Sequence, residues 1–218
     1  MNLLELNTHT QTKNTQSEIS PSIALDLLKE GNHRFMDKKQ AQRDLLKQVD
    51  DTSNGQYPFA TVLSCIDSRV SSELIFDQGI GDIFSIRIAG NFINEDILGS
   101  MEFACKLAGT KILVVLGHTS CGAVKGACDH AKLGNLTAML DKIMPAVDGV
   151  TSPEEKDQRN SSNIPFVNEV AKKNVHLSID RILAESPVLA EMAKAGEIKI
   201  VGGMYDINTG KVDFYNAD

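Results

Sequence analysis

The chain has 218 residues with 22 basic and 29 acidic side chains, a formal net charge of −7, and no basic tract. That length supports one domain of ordinary to large size with a buried core, and the acidic balance excludes a role built on nucleic acid or acidic lipid. The polar N-terminus has neither the basic nor the apolar region of a signal peptide, and no apolar run nears the roughly 18 residues of a membrane span, so a cytoplasmic location is expected.

Residues 1–19 are polar and aperiodic and read as a flexible N-terminal tail. Ser20 followed by Pro21 marks a helix start, a capping hydroxyl and then a proline whose missing N–H is harmless in the first turn. Ile23, Leu27, Leu28 and Phe35 then recur at near-helical spacing. Further helix is expected in the mostly polar stretch 38–56 before a loop, which makes 20–56 a helical arm.

The rhythm then changes. FATVLS (59–64), IFSIRIA (83–89) and KILVVLG (111–117) are short apolar runs rich in β-branched residues, as expected of strands buried on both faces. Helical patterns lie between them, at 71–78 and about 96–107, and a third helix is expected to start near Cys121. The polar segment 151–165 reads as a connection between helices. Longer helices follow, from about 166 to 184 and 187 to 195. EIKIVGGMYDI and KVDFY, joined across Asn208, Thr209 and Gly210, read as strand, turn, strand. The alternation predicts an α/β fold: a central, mostly parallel β-sheet with an antiparallel edge strand, flanked by helices, with an N-terminal helical arm. Residues 20–218 form a single domain on this reading, with 57–218 as its core.

Two strand ends carry the chemistry. The first apolar run ends in Cys65-Ile66-Asp67-Ser68-Arg69, and the third in His118-Thr119-Ser120-Cys121-Gly122. Functional groups gather at the carboxyl ends of strands in open parallel sheets. Two thiolates and an imidazole converging there suit zinc with a fourth position left open. A lone cysteine at a strand end is more often a small buried apolar residue than a ligand, so the pair His118-x-x-Cys121 across one tight turn carries more weight than Cys65 alone. Gly122 lets the backbone approach the metal closely. Asp67 and Arg69, at alternate positions, can form a bidentate ion pair that keeps the carboxylate ionised. Cys105 and Cys128 read as structural thiols, and His9, His33, His130 and His176 as surface or packing residues. A nucleotide-binding doubly wound domain is excluded, because no glycine-rich phosphate loop opens a helix after a strand.

Cys-x-Asp-x-Arg followed about fifty residues on by Gly-His-x-x-Cys-Gly resembles the signature of β-class carbonic anhydrases. The resemblance extends from the helix at Ser20 through Tyr205-Asp206-Ile207 and Thr209-Gly210-Lys211-Val212. It implies a lyase that reversibly hydrates carbon dioxide to bicarbonate and a proton, with one zinc ion per chain held by Cys65, His118 and Cys121. Asp67 and Arg69 match a dyad in which arginine holds aspartate off the metal. In some members that dyad opens and the aspartate becomes the fourth ligand. Gln56, nine residues before Cys65, matches an amide that orients substrate in the plant-like subgroup. Phe84 matches an apolar pocket residue, and Phe103 stands where that subgroup often has tyrosine, so one hydroxyl is missing. Gly122 completes the substrate-binding set, and Arg87 matches a position with a supporting or regulatory role. The bicarbonate-regulated subgroup has tryptophan three residues before the first cysteine ligand. Val62 stands there, which points to the plant-like subgroup with the metal open to water. The resemblance further implies a homodimer or homotetramer in which Gln56 serves the neighbour's zinc, and no membrane or nucleic-acid partner. Two readings stand beside it: hydrolysis of carbonyl sulfide or carbon disulfide on the same site, and an inactive zinc-binding structural or regulatory homologue.

Overall fold

The computed structural model describes residues 9–215. Five strands, β1 (Ala60–Ser64), β2 (Ile83–Arg87), β3 (Ile112–His118), β4 (Lys199–Tyr205) and β5 (Val212–Tyr215), form one sheet in the order β2-β1-β3-β4-β5. All neighbours are parallel except β5, which runs antiparallel to β4. Every residue of β1 and β3 is buried, as expected of central strands covered on both faces. The two-residue period of β3 divides the core: Ile112, Val114 and Leu116 pack on one side of the sheet, Leu113 and Val115 on the other.

Helix α1 (Lys13–Glu18) corrects the expectation of a flexible tail over its own span. Its sequence has no apolar stripe. Instead Thr12 forms a capping box with Thr15, and the buried Gln16 donates from Nε2 to the carbonyls of Pro58 and Ala108 at 2.6 and 2.8 Å. Residues 1–8 of the expected tail lie outside the described residues. Helix α2 (Pro21–Met36) starts as predicted, with the Ser20 hydroxyl accepting from the Ile23 N–H. Its Ala24, Leu25, Leu27 and Leu28 pack with Phe59, Val62 and Phe76. The buried Asn32 ties it to the sheet edge, donating to the Gly210 carbonyl and accepting from the Val212 N–H. Helix α3 (Leu45–Thr52) completes the arm and leaves Leu45, Leu46 and Val49 exposed.

Helices α4 (Ser72–Ile75) and α5 (Glu95–Glu102) follow β1 and β2. Helix α5 passes into a π-helical turn over Phe103–Leu107, where a continuous helix is expected. Helix α6 (Gly122–Cys128) follows β3, and two further helices, α7 (Gly134–Leu140) and α8 (Met144–Gly149), occupy a stretch without clear periodicity. Helix α9 (Ile164–Glu185) begins two residues earlier than predicted, because Asn163 caps it and Pro165 fits its first turn. It packs on β3 and β4, and α10 (Pro187–Lys194) packs against it.

The loop before β2 contains two buried carboxylates. Asp77 is neutralised by Arg34 and Arg43, each 2.6 Å away. Asp82 is 1% exposed, and its Oδ2 accepts from the Gly79 N–H at 2.7 Å. Burial pushes the Asp82 carboxyl up from 3.8 to about 6, against the pull of the Gly79 N–H and Arg43. An acid that binds its proton more tightly in the fold than in the unfolded chain lowers stability as pH rises from about 4 to about 6. Asp82→Asn keeps the acceptor for Gly79 and removes the charge. At pH 7 it is expected to stabilise the protein by up to about 3 kcal/mol, and at pH 4 by much less. Urea unfolding of both proteins across this range checks the difference.

Candidate metal centre

The order of the sheet explains where the site lies. From β1 the chain crosses to β2 on one side and reaches β3 on the other, so a crevice opens at the carboxyl ends of β1 and β3. Cys65 leaves β1, and His118 is the last residue of β3. Cys121 caps α6 after a turn in which Ser120 takes φ 55°. Such a conformation costs a non-glycine residue free energy, and the Asn168 Oδ1 holds it by accepting from the Ser120 N–H at 2.8 Å. One candidate ligand atom each from Cys65, His118 and Cys121 lie within 4.8 Å of one another, all on buried residues.

The electrostatics fit a cation. His118 Nδ1 lies 3.0 Å from the Thr119 carbonyl oxygen, which only a protonated Nδ1 can bond. The lone pair therefore sits on Nε2, a buried atom with no hydrogen-bond partner among the described residues. The two sulphurs are 3.9 Å apart. The Cys65 thiol is pushed down, chiefly by the hydrogen bond from Cys121 and further by groups that include the Gly90 N–H, 3.3 Å from its sulphur. Cys121 is pushed up by its bond to Cys65 and by burial. Two buried sulphurs in contact, beside a buried imidazole nitrogen with its lone pair inward, make a donor set that suits a thiophilic divalent ion.

Asp67 and Arg69 form the expected pair. Arg69 Nε and Nη2 donate to Oδ1 and Oδ2 of Asp67 at 2.9 and 2.7 Å, and the Arg69 backbone N–H adds a third bond at 3.0 Å. These bonds hold the Asp67 carboxyl well below the usual carboxylate range. Asp67 Oδ2 is also 4.0 Å from His118 Nε2, which places the carboxylate beside the cluster. Arg87, at the end of β2, donates to the carbonyls of Cys65 and Asp67 at 3.0 and 2.7 Å. It clamps the backbone that presents both side chains.

A cavity of about 280 Å³ opens over these groups. Its walls are mostly apolar: Ala89, Ala123, Leu136, Met139 and Leu140 surround Cys65 and Asp67. Gly122 borders it, and a Cβ there would meet nothing within 4 Å. Sequence reasoning missed the α7 residues of this wall, because α7 is short and begins at a glycine with positive φ.

Gln56, Phe84 and Phe103 are not brought to this cavity within one chain. Gln56 is exposed and precedes the amino end of β1, whereas Cys65 follows its carboxyl end. Phe84 pairs with Thr61, three residues before the level of Ser64 and Arg87, so it lies roughly 10 Å back along the sheet. It packs edge-on against Phe103, with 6.3 Å between ring centroids, and the two line a separate hollow. Strand register sets Phe84 apart from the metal cluster within one chain, and Gln56, expected beside a neighbour's zinc, does not line this cavity.

Gly90 is the tightest backbone position at the site. Its φ is +79°, and an added Cβ would lie 2.4 Å from Ile143 Cδ1. Gly90→Ala is expected to destabilise the protein by about 1–3 kcal/mol through strain and overpacking. Thermal unfolding checks it against Gly122→Ala, which should leave the melting temperature nearly unchanged.

The comparisons with known proteins agree with this geometry. The carbonic anhydrase family profile matches residues 60–212. Carbonic anhydrase 2 of Mycobacterium tuberculosis is 34% identical over 203 residues, covering 88% of this chain and 91% of that protein. A carbonic anhydrase of Mycolicibacterium smegmatis is 31% identical over 200 residues, covering 89% and 93%. Among solved structures, the β-carbonic anhydrase CafA of the fungal pathogen Aspergillus fumigatus superposes with a TM-score of 0.70 at 25% identity, covering 90% of this chain and 91% of that one. Fold and site define an α/β enzyme with a Cys-His-Cys cluster that could hold a metal ion at its topological switch point. The chain belongs to the β-class carbonic anhydrases, lyases that act between carbon dioxide and bicarbonate.

Proposed function

We propose that the protein catalyses zinc-dependent, reversible hydration of carbon dioxide, with Cys65, His118 and Cys121 holding one zinc ion per chain and Asp67 and Arg69 orienting the attacking water. The observation that carries this reading is the buried, unpartnered His118 Nε2 set against two sulphurs, with Asp67 Oδ2 4.0 Å away. When bound, zinc supplies the Lewis acidity that makes water a nucleophile near neutral pH. Asp67, kept ionised by Arg69, can only accept hydrogen bonds, so it turns the water's lone pair toward the cavity. The apolar walls from Ala123, Leu136, Met139 and Leu140 give carbon dioxide a resting place without competing polar groups. The open space at Gly122 leaves room beside the metal.

The reading includes a homodimer or homotetramer in which Gln56, Phe84 and Phe103 complete a neighbour's site. Supporting it are the exposed Leu45, Leu46 and Val49 of α3, the exposed Phe103 and Leu107, and the outer edge of β2, which no strand among the described residues covers. Val62 in place of tryptophan and the closed Asp67–Arg69 pair support a plant-like site open to water at neutral pH. A reducing compartment such as the cytoplasm suits sulphurs 3.9 Å apart, which oxidation could join. Among the described residues no helix is long and apolar enough to cross a membrane.

Stopped-flow carbon dioxide hydration on zinc-quantified protein, at pH 7 and near pH 9, tests the proposal. High activity at both supports the open site. Activity only near pH 9 keeps the reaction and places Asp67 on the metal at neutral pH. One zinc per chain with no activity at either pH overturns the reading and directs the assay to carbonyl sulfide.

A further inference from the structure

The Cys65 sulphur is held by more than its own strand. The turn Ile88–Asn91 follows β2 and closes with the Asn91 N–H on the Ile88 carbonyl at 3.0 Å. Gly90, its third residue, has φ +79°, the positive angle that a type II turn requires there. The middle peptide of such a turn is flipped relative to type I. In this orientation the Gly90 N–H points at Cys65 Sγ, 3.3 Å away. Flipped to type I, the same peptide would turn its N–H away from the sulphur and bring the Ala89 carbonyl round toward it, and a carbonyl repels a thiolate.

The turn is anchored from α9 on the far side of Gly90. Asn174 is 3% exposed, and its Nδ2 donates to the Gly90 carbonyl at 2.8 Å across 84 residues of sequence. One turn further along the helix, the Ser178 hydroxyl lies 3.5 Å from the Asn91 carbonyl. The Ile143 side chain closes on the other side of Gly90.

We propose that Asn174 is a positioning residue of the metal centre: by anchoring the Gly90 carbonyl, in the peptide after the flipped one, it holds the Ile88–Asn91 turn at the distance from which the Gly90 N–H reaches the Cys65 sulphur. The inference rests on the metal reading above. An N–H bond to a thiolate withdraws electron density from sulphur, so Asn174 sets how strongly Cys65 donates to the bound ion, without touching ion or substrate. Groups that orient metal ligands in this way typically change metal affinity by about 10- to 100-fold when removed.

The test replaces Asn174 with leucine, which keeps the branched outline of the side chain and removes the donor, and loads wild type and variant with cobalt(II). The wild type should show a sulphur-to-cobalt charge-transfer band. In Asn174→Leu the band is expected at longer wavelength, because the sulphur keeps density the N–H drew off, and zinc should leave to a chelator about tenfold faster, because the released turn no longer holds Cys65 in place. A buried asparagine with a merely structural role would move the melting temperature and leave the band in place. An unchanged band and release rate in a folded variant overturns this inference alone. A wild type that binds neither cobalt nor zinc overturns the metal reading, and the inference with it. Should Asn174→Leu not fold, amide exchange in the zinc-loaded wild type decides: strong protection of the Gly90 N–H supports the proposal, and exchange at the rate of exposed turns overturns it.

Discussion

Cys121→Ser is expected to abolish metal binding and to lower carbon dioxide hydration by more than about a thousandfold, because water without the metal is a very weak acid at neutral pH. The substitution is close to isosteric, so the turn after β3 should survive; its shape depends on backbone and Asn168 contacts rather than on the sulphur. What changes is the donor. A serine hydroxyl stays protonated at neutral pH and is a poor ligand for a thiophilic ion. Only Cys65 and His118 would remain, and His118 Nε2 would again be buried without a partner. Two readouts separate this from unfolding. Zinc should raise the melting temperature of the wild type by mass action, whereas the variant should melt at one temperature with or without zinc. Retention of one zinc per chain with near-normal turnover would remove Cys121 from the ligand set.

The residues of this cluster were legible because each belongs to a short segment with a strong local signal. Continuous apolar runs define β1 and β3, and both runs break off into cysteine, histidine and charged residues where a buried strand cannot continue. The strand pair at the C-terminus was equally readable, since Asn208, Thr209 and Gly210 separate two β-like runs and Gly210 takes φ +79°. Other parts left no such trace. Helix α1 is held by Gln16 bonding two distant carbonyls, and a lone glutamine in a polar run has no periodicity to detect. The cavity wall comes from α7, seven residues long, whose Leu136, Met139 and Leu140 acquire their role only through the way α7 packs against α6. Asn168 and Asn174 act on backbone groups 48 and 84 residues away, a relation that sequence spacing cannot show. The displacement of Phe84 from the metal is likewise a matter of register: a motif fixes the residue type, while the pairing of β2 with β1 decides how far along the sheet it sits.

Arg69→Ala is expected to reduce turnover by more than about tenfold while zinc stays bound, and to do so by releasing Asp67 rather than by removing a catalytic group. In the wild type both carboxylate oxygens are occupied by the guanidinium, and only the backbone N–H bond to Oδ1 survives the substitution. Oδ2, already 4.0 Å from His118 Nε2, is then free to swing onto the metal in place of water. The pH dependence distinguishes this from simple damage. Arg69 holds Asp67 below its usual range, so in the wild type the carboxylate stays ionised at every pH where the enzyme is assayed, and its protonation does not limit activity on the acid side. In Arg69→Ala an ionised, unpaired Asp67 competes with water for the ion. Alkaline pH favours hydroxide in that competition, so the variant's pH–rate profile should shift upward. Asp67→Ala loses the hydrogen-bond acceptor without gaining a competing ligand. Its turnover should also fall more than about tenfold, but its profile should keep the wild-type midpoint. Stopped-flow hydration from pH 6.5 to 9.5 on zinc-quantified proteins compares the three. Wild-type rates in either variant would refute the roles assigned to Asp67 and Arg69, and identical profiles in both would refute the competition between carboxylate and water.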